Sequence, residues 1–364
     1  MRKLVLLLAA LSAAAYAGDA GVYDRLLERV KQAPKELAKD ALVKGLGGEP
    51  TGVAKEPALD ARDEDEKTAR ALELFARPAG TFSYRLVEEK KHETYVRHEL
   101  SLPSAAHTTD PSDFVHGFYY EPLKKDGRGP ACVVVHHLGG SFEAEEMLAA
   151  YLAQHGVASA TLALPGYGKR RAEGQPKAGF LGHKDPLDDL AGMRQAVLDV
   201  RRVADLLRSR PEIDPERVGV VGISLGAIVA ANSSGIDRRF ARSVFVIGGG
   251  DLMKILSGDS KEAKEAMGHI RESGMSQEEL QQGFALVDPL TFARRLRADD
   301  VLMLNAERDE VFPRESTLGL WRKAGYPKIK WYDSTHTGIA VHLASVMNET
   351  LDHLKAKAPE REPD

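Results

Sequence analysis

Two hydrophobic rhythms alternate along most of this chain. Residues 82–103 ("FSYRLVEEKKHETYVRHELSLP") and 114–123 ("FVHGFYYEPL") alternate apolar and polar positions, as an antiparallel pair with polar faces does. "ACVVVHH" (131–137) is a continuous apolar run, the pattern of a strand covered on both sides. "VASATLALP", "RVGVVGIS", "ARSVFVIGG", "DVLMLNA" and "KIKWYDS" repeat that pattern further on. Helical stretches separate the runs. Ser141 is placed to cap a helix that runs through His155 and stops at Gly156. Asp185 and Pro186 open a longer one as N-cap and first residue. Its buried face is Leu190, Met193, Val197, Val200, Ala204 and Leu207, and Pro211 lies just beyond its end. The last helix is expected from about Ile339 to Lys355. Strands alternating with helices imply an α/β fold. The expected form is a doubly wound, mostly parallel sheet with helices on both faces and antiparallel strands at the N-terminal edge. Ligands then bind beyond the carboxyl ends of the strands.

The N-terminal region reads differently. Arg2 and Lys3 precede an apolar run from Leu4 to Ala15, and Ala15-Tyr16-Ala17 has the small-x-small form of a cleavage site. Residues 1–17 are therefore expected to be a signal peptide that sends the chain to the periplasm or outside the cell. The run is too short to span a bilayer. Residues 18–80 are expected to form a helical arm and linker. In it, 21–44 is helical and broken at Pro34, the Gly-, Pro- and charge-rich stretch 45–66 is a linker, and Leu72, Leu74 and Phe75 mark a short helix. The α/β domain then covers 81–357, with a helical insertion at about 251–290 and a disordered tail at 358–364.

Composition narrows the function little. The chain has 364 residues, 43% hydrophobic and 29% charged, and a formal charge of −4. That is an ordinary globular balance with no basic stripe, so no nucleic-acid partner is expected. A small-molecule substrate is the partner expected. Cys132, the single cysteine, permits no internal disulfide and is read as a buried core residue.

Gly222-Ile223-Ser224-Leu225-Gly226 joins an apolar strand to an apolar helix. A G-x-S-x-G turn there lifts the serine into the crevice above a helix N-terminus. Serine needs a base, and the base needs an orienting carboxylate. Loops after later strands supply both in the order such sites use. Asp309 follows "DVLMLNA" and His336 follows "KIKWYDS". Asp309 is preferred over Glu307, over Glu310, which is expected to face away, and over Asp251 after the preceding strand. His336 is preferred over His342. The backbone N–H of Leu225 and that of Leu138, in His136-His137-Leu138-Gly139-Gly140, are the expected oxyanion donors.

These pieces resemble the α/β-hydrolase superfamily, in particular its dienelactone-hydrolase-like and secreted-carboxylesterase branches, over residues 81–355. The resemblance rests on "HHLGGS" as oxyanion loop, "LPGYGKR" after the next strand, "GISLG", "ERDEVFP" and "STHTG". Two departures stand out. His137 occupies a position where the family usually has glycine, and Ser224 stands where dienelactone hydrolases carry cysteine. His136 and His137 have no third partner at zinc-like spacing, so no metal is expected, and the chemistry implied needs no cofactor. In the insertion, Ala263, Ala266, Met267 and Ile270 share one face and are read as packing in preference to an acyl-binding surface. The insertion's heavy charge argues against a lid for oil–water interfaces. Arg170 and Arg171 are read as solvated surface charge in preference to contacts with an anionic substrate. The expected activity is hydrolysis of carboxylic esters. A peptidase or amidase on the same fold, and a catalytically inactive binding module, are the alternatives.

Overall fold

In the computed structural model, the residues described are 21–30, 39–63, 65–106, 113–124, 127–139, 141–174 and 179–356. The expected signal peptide, Pro34 and the tail at 358–364 lie outside them. Ten strands form one sheet: β1 Gly52–Glu56, β2 Gly80–Lys91, β3 Tyr95–Pro103, β4 Phe114–Pro122, β5 Gly129–Val135, β6 Ala158–Leu162, β7 Ile213–Ile223, β8 Ser243–Val246, β9 Val301–Arg308 and β10 Lys328–Thr335. Their order is β1-β2-β3-β4-β6-β5-β7-β8-β9-β10. β1 to β4 pair antiparallel, β4 meets β6 antiparallel, and β6 through β10 are parallel. The expected mixed, doubly wound sheet is what forms. Its strand order reverses around β5, and a crevice opens at such a switch point.

Burial explains the strand patterns. Every residue of β6 and β8 is buried, because helices cover both faces. Two apolar cores result, one on each side of the sheet. Val133 and Val135 belong to one, and Cys132 and Val134 to the other, as the two-residue period of a strand requires. Burial also pushes the Cys132 thiol far above its usual pKa, so it is inert.

The helix Pro186–Ser209 begins as expected, with the Asp185 carboxylate accepting the Leu187 N–H and proline in the first turn. Three local expectations differ. The helix Glu143–Gln154 has Phe142 as N-cap, without a side-chain cap; Ser141 does not serve. The stretch read as a linker contains β1, which pairs with β2. Between β10 and the last helix, Leu343–Lys355, residues Thr337–His342 form a 3₁₀ turn, so the α-helix starts later than expected.

Arg170 is the clearest correction. It is fully buried, not solvated, and donates from Nη2 to Asp199 Oδ2 at 2.7 Å and from Nη1 to the Ala163 carbonyl at 2.9 Å. The other oxygen of Asp199 accepts from Ser104 Oγ at 2.7 Å and the Ala105 N–H at 3.1 Å. This pair ties the loop after β3 and the turn after β6 to the long helix. Arg202 does the same for β1, holding Glu56 at 2.7 Å.

Candidate active site

β7 ends at Ile223, and the helix Leu225–Ile236 starts immediately after Ser224. Ser224 sits between them at φ 56°, ψ −115°. That is a strained conformation for a residue with a Cβ. The two glycines allow it by close packing. A Cβ on Gly222 would lie 1.9 Å from the Gly226 carbonyl oxygen, and one on Gly226 would lie 2.2 Å from that of Val135. Any side chain at either position would force strand, turn and helix apart.

Ser224 Oγ lies 2.9 Å from His336 Nε2. His336 Nδ1 lies 2.9 Å from each carboxylate oxygen of Asp309. β9 and β10 are parallel neighbours, with Thr335 opposite Arg308, so the two loops leave the sheet side by side. The Asp309 carboxylate is fixed from behind by the N–H groups of Val311 at 2.9 Å and Phe312 at 2.8 Å. The Phe312 ring stacks on the imidazole at 5.6 Å between centroids. A carboxylate on Nδ1 keeps the proton there and leaves Nε2 to accept from the serine.

The rival residues are elsewhere. Glu307 is exposed. Asp251 caps the short helix Leu252–Leu256 by accepting the Lys254 N–H. His342 packs its ring against Tyr332. Glu310 does not face away as expected: its carboxylate accepts the His336 backbone N–H at 2.9 Å. It thereby ties the acid loop to the histidine loop. No sequence signal gave this, since a side chain reaching a backbone amide on another strand leaves no local pattern.

The loop after β5 is held by its two histidines. His136 donates from Nδ1 to the His137 carbonyl at 2.6 Å and accepts the Leu164 N–H on Nε2 at 3.0 Å. Burial lowers its pKa to about 4, so it is neutral and both nitrogens are engaged. A trans peptide points the Leu138 N–H opposite to the His137 carbonyl, hence away from the His136 ring. Leu138 lines the same cleft as Ser224. The Leu225 N–H belongs to the first turn of its helix, where backbone donors have no partner within the helix. His137 gives its backbone N–H and its Nδ1 to one oxygen of buried Glu145, at 3.1 and 2.8 Å. That hydrogen bond raises the His137 pKa. Among the described residues, no group of three or more metal-type side chains converges.

The cleft over Ser224 and His336 has a volume of about 1320 Å³. Leu225, Ile228, Val246 and Ile247 form its floor, and the insertion supplies much of its wall. Ala263 and Ala266 line it, whereas Ile270 and Met267 pack with the core. The expected packing stripe is thus split between two duties.

Comparison with known proteins bears on the fold and the family. An uncharacterized protein of Mycobacterium tuberculosis is 28% identical over 184 residues, 48% of this chain and 41% of that one. A polyketide transferase of Penicillium crustosum is 33% identical over 107 residues, 29% of this chain and 30% of that one. The chain thus spans less than half the length of these curated relatives. Among solved structures, an acetyl xylan esterase from Paenibacillus sp. R4 matches with a TM-score of 0.63 at 20% identity, covering 82% of this chain and 96% of that one. An acylaminoacyl peptidase from Pyrococcus horikoshii matches with a TM-score of 0.55 at 18% identity, covering 79% and 48%. At these identities the likeness is one of fold. The family profile of the alpha/beta hydrolases matches residues 114–345, which takes in β4 to β10, the serine turn and both later loops. This chain belongs to the alpha/beta hydrolase family.

Proposed function

We propose that this protein is an exported serine hydrolase that cleaves carboxylic esters. The observation that carries the reading is the unbroken hydrogen-bonded relay Ser224–His336–Asp309 opening into a cleft. Ser224 Oγ attacks the ester carbonyl carbon as its proton passes to His336 Nε2. The carbonyl oxygen becomes an oxyanion held by the Leu138 and Leu225 N–H groups. The carbon–oxygen bond to the alcohol then breaks, and the departing oxygen takes the proton from His336. The acyl group is now on Ser224. Water gives a proton to His336 and attacks the acyl carbon. The acid leaves, and the proton returns to Ser224. Asp309 holds the imidazolium that forms at each step. Each cycle consumes one ester and one water and releases one alcohol and one acid.

Export rests on the signal-like residues 1–17. A mature N-terminus just after Ala17, read by mass spectrometry on protein from its native host, would support it. An uncleaved chain retained in the cytoplasm would refute it.

A fluorophosphonate probe tests the chemistry. It should label the wild-type protein at Ser224 and leave Ser224→Ala unlabelled. p-Nitrophenyl esters should turn over faster than aminopeptidase substrates. Labelling that survives Ser224→Ala, or its absence in the wild type, would overturn the reading. Faster peptide turnover would make the enzyme a peptidase.

A further inference from the structure

The reading of Ser224 as a nucleophile leaves the acyl group unidentified. The cleft bears on this, and the inference rests on that reading. Its volume of about 1320 Å³ exceeds the roughly 300–1,000 Å³ of ordinary small-ligand pockets. An acetyl group would leave most of it empty. Much of its wall is aliphatic: Leu252, Ile255 and Leu256 from the insertion line the space that Leu190 and Met193 bound from the long helix.

Ile247 adds a second, independent observation. It follows β8, lines the cleft and sits at φ 44°. A β-branched residue is strained there, and glycine or asparagine would not be. Its backbone is held by the N–H bond to the Leu304 carbonyl at 2.7 Å, on the strand next door. Ser224 N–H bonds to the Val246 carbonyl at 2.9 Å. The strained isoleucine therefore adjoins the residue that anchors the nucleophile, and it adds an apolar surface to the floor there.

On the insertion's side the polar lining is segregated, while across the cleft buried Asp189 accepts from His183 Nδ1 at 2.8 Å and from the Gly182 and His183 N–H groups at 3.0 Å. On the helix Lys261–Glu272, Lys261, Glu265, His269 and Glu272 are exposed, whereas Ala263 and Ile270 are buried and Ala266 is half-buried. The charges thus sit on the solvent side of the wall. A sugar-binding platform of stacked tryptophans is not what this cleft offers. Trp321 donates to the Pro327 carbonyl and Arg314 lies over Trp331; neither ring lines the cleft. Of the two phenylalanines that do, Phe312 is stacked on His336.

We propose that the cleft takes esters whose acyl part is a medium-length aliphatic chain, laid along Ile247, Ile255 and Leu256, with the polar alcohol part at the charged rim. Each methylene moved from water onto such walls is worth up to about fourfold in kcat/KM. The experiment compares p-nitrophenyl acetate, butyrate, octanoate and laurate, with fluorophosphonate labelling of Ser224 run on every sample. Octanoate should exceed acetate in kcat/KM by at least about tenfold. Ile255→Asp and Ile247→Asn should shrink that ratio by about tenfold, chiefly through KM, while labelling persists. A readout without variants guards against misfolding: sodium octanoate should slow probe labelling at a concentration where sodium acetate does not. Acetate as the best substrate with Ser224 labelled, or a ratio untouched in labelled variants, would overturn the acyl assignment alone. No labelling and no turnover of any ester would overturn the hydrolytic reading and this inference with it.

Discussion

Two buried polar clusters in this protein use similar groups to opposite ends. Around Asp199, the carboxylate is met by Arg170, Ser104 and the Ala105 amide, and Gln195 in turn donates to Ser104 Oγ at 2.9 Å. Arg170 and Asp199 are both wholly inaccessible. Around Asp309, the carboxylate is met by two backbone amides and His336, but the far end of the relay opens into the cleft. The first cluster is closed on itself and serves the fold. The second ends on a hydroxyl in strained backbone geometry, which a purely structural network would not need. Where a buried relay terminates separates stability from chemistry better than which residue types it contains.

The sharpest way to break this contrast is to truncate each cluster. Ser224→Ala should lower kcat by at least about ten-thousand-fold. Its thermal unfolding midpoint should stay close to wild type, since only one hydroxyl is lost. Asp309→Asn should cost about a thousand- to ten-thousand-fold in kcat, because the amide no longer favours the tautomer with the proton on Nδ1. Asp199→Ala should act the other way. It strands the Arg170 guanidinium in the core and should remove about 3–5 kcal/mol of stability, read by denaturant titration, with activity per folded molecule kept. Equal activity losses without destabilisation would erase the distinction between the clusters.

A pH series sharpens the comparison further. Burial lowers the pKa of His116, His136 and His353 from 6.5 to about 4. Between those values the unfolded chain binds protons that the folded chain refuses. The contribution of these three rings is therefore full above about pH 6.5 and falls as the pH drops toward 4. Thermal scans across that window should show a steadily falling midpoint, and a flat profile would contradict the burial of these rings. The smallest effect belongs to Glu310. Removing its bond to the His336 amide in Glu310→Ala should lower kcat by about tenfold through misplacement of the imidazole, and Glu310→Gln should cost less.

The local codes were readable in the amino-acid pattern. Continuous apolar runs gave the central strands, and Asp185-Pro186 gave the start of the long helix. G-x-S-x-G gave the turn because its glycines are demanded by contacts of 1.9 and 2.2 Å. Asp309 and His336 could be named because strand ends deliver loops to one edge. What escaped depends on partners far along the chain. β1 is short, and Val53 in it is 60% exposed, so pairing with β2 rather than its own pattern makes it a strand. Arg170 has an ordinary surface sequence around it, and its ion pair with Asp199, 29 residues away, holds it inside. Ser141 lost its expected capping role to Phe142, an N-cap without a side-chain bond. Glu310 and Glu145 reach backbone amides on other segments, a contact no spacing rule encodes.

The central claim is that Ser224 carries the acyl group during turnover. Acid quenching during the first turnovers of a p-nitrophenyl ester, followed by peptide mass spectrometry, tests it most directly. The account predicts a burst of p-nitrophenol stoichiometric with enzyme and an acyl adduct on the peptide containing Ser224. Sustained turnover with the acyl group on another residue, or with no adduct at any quench time and no burst, would contradict it.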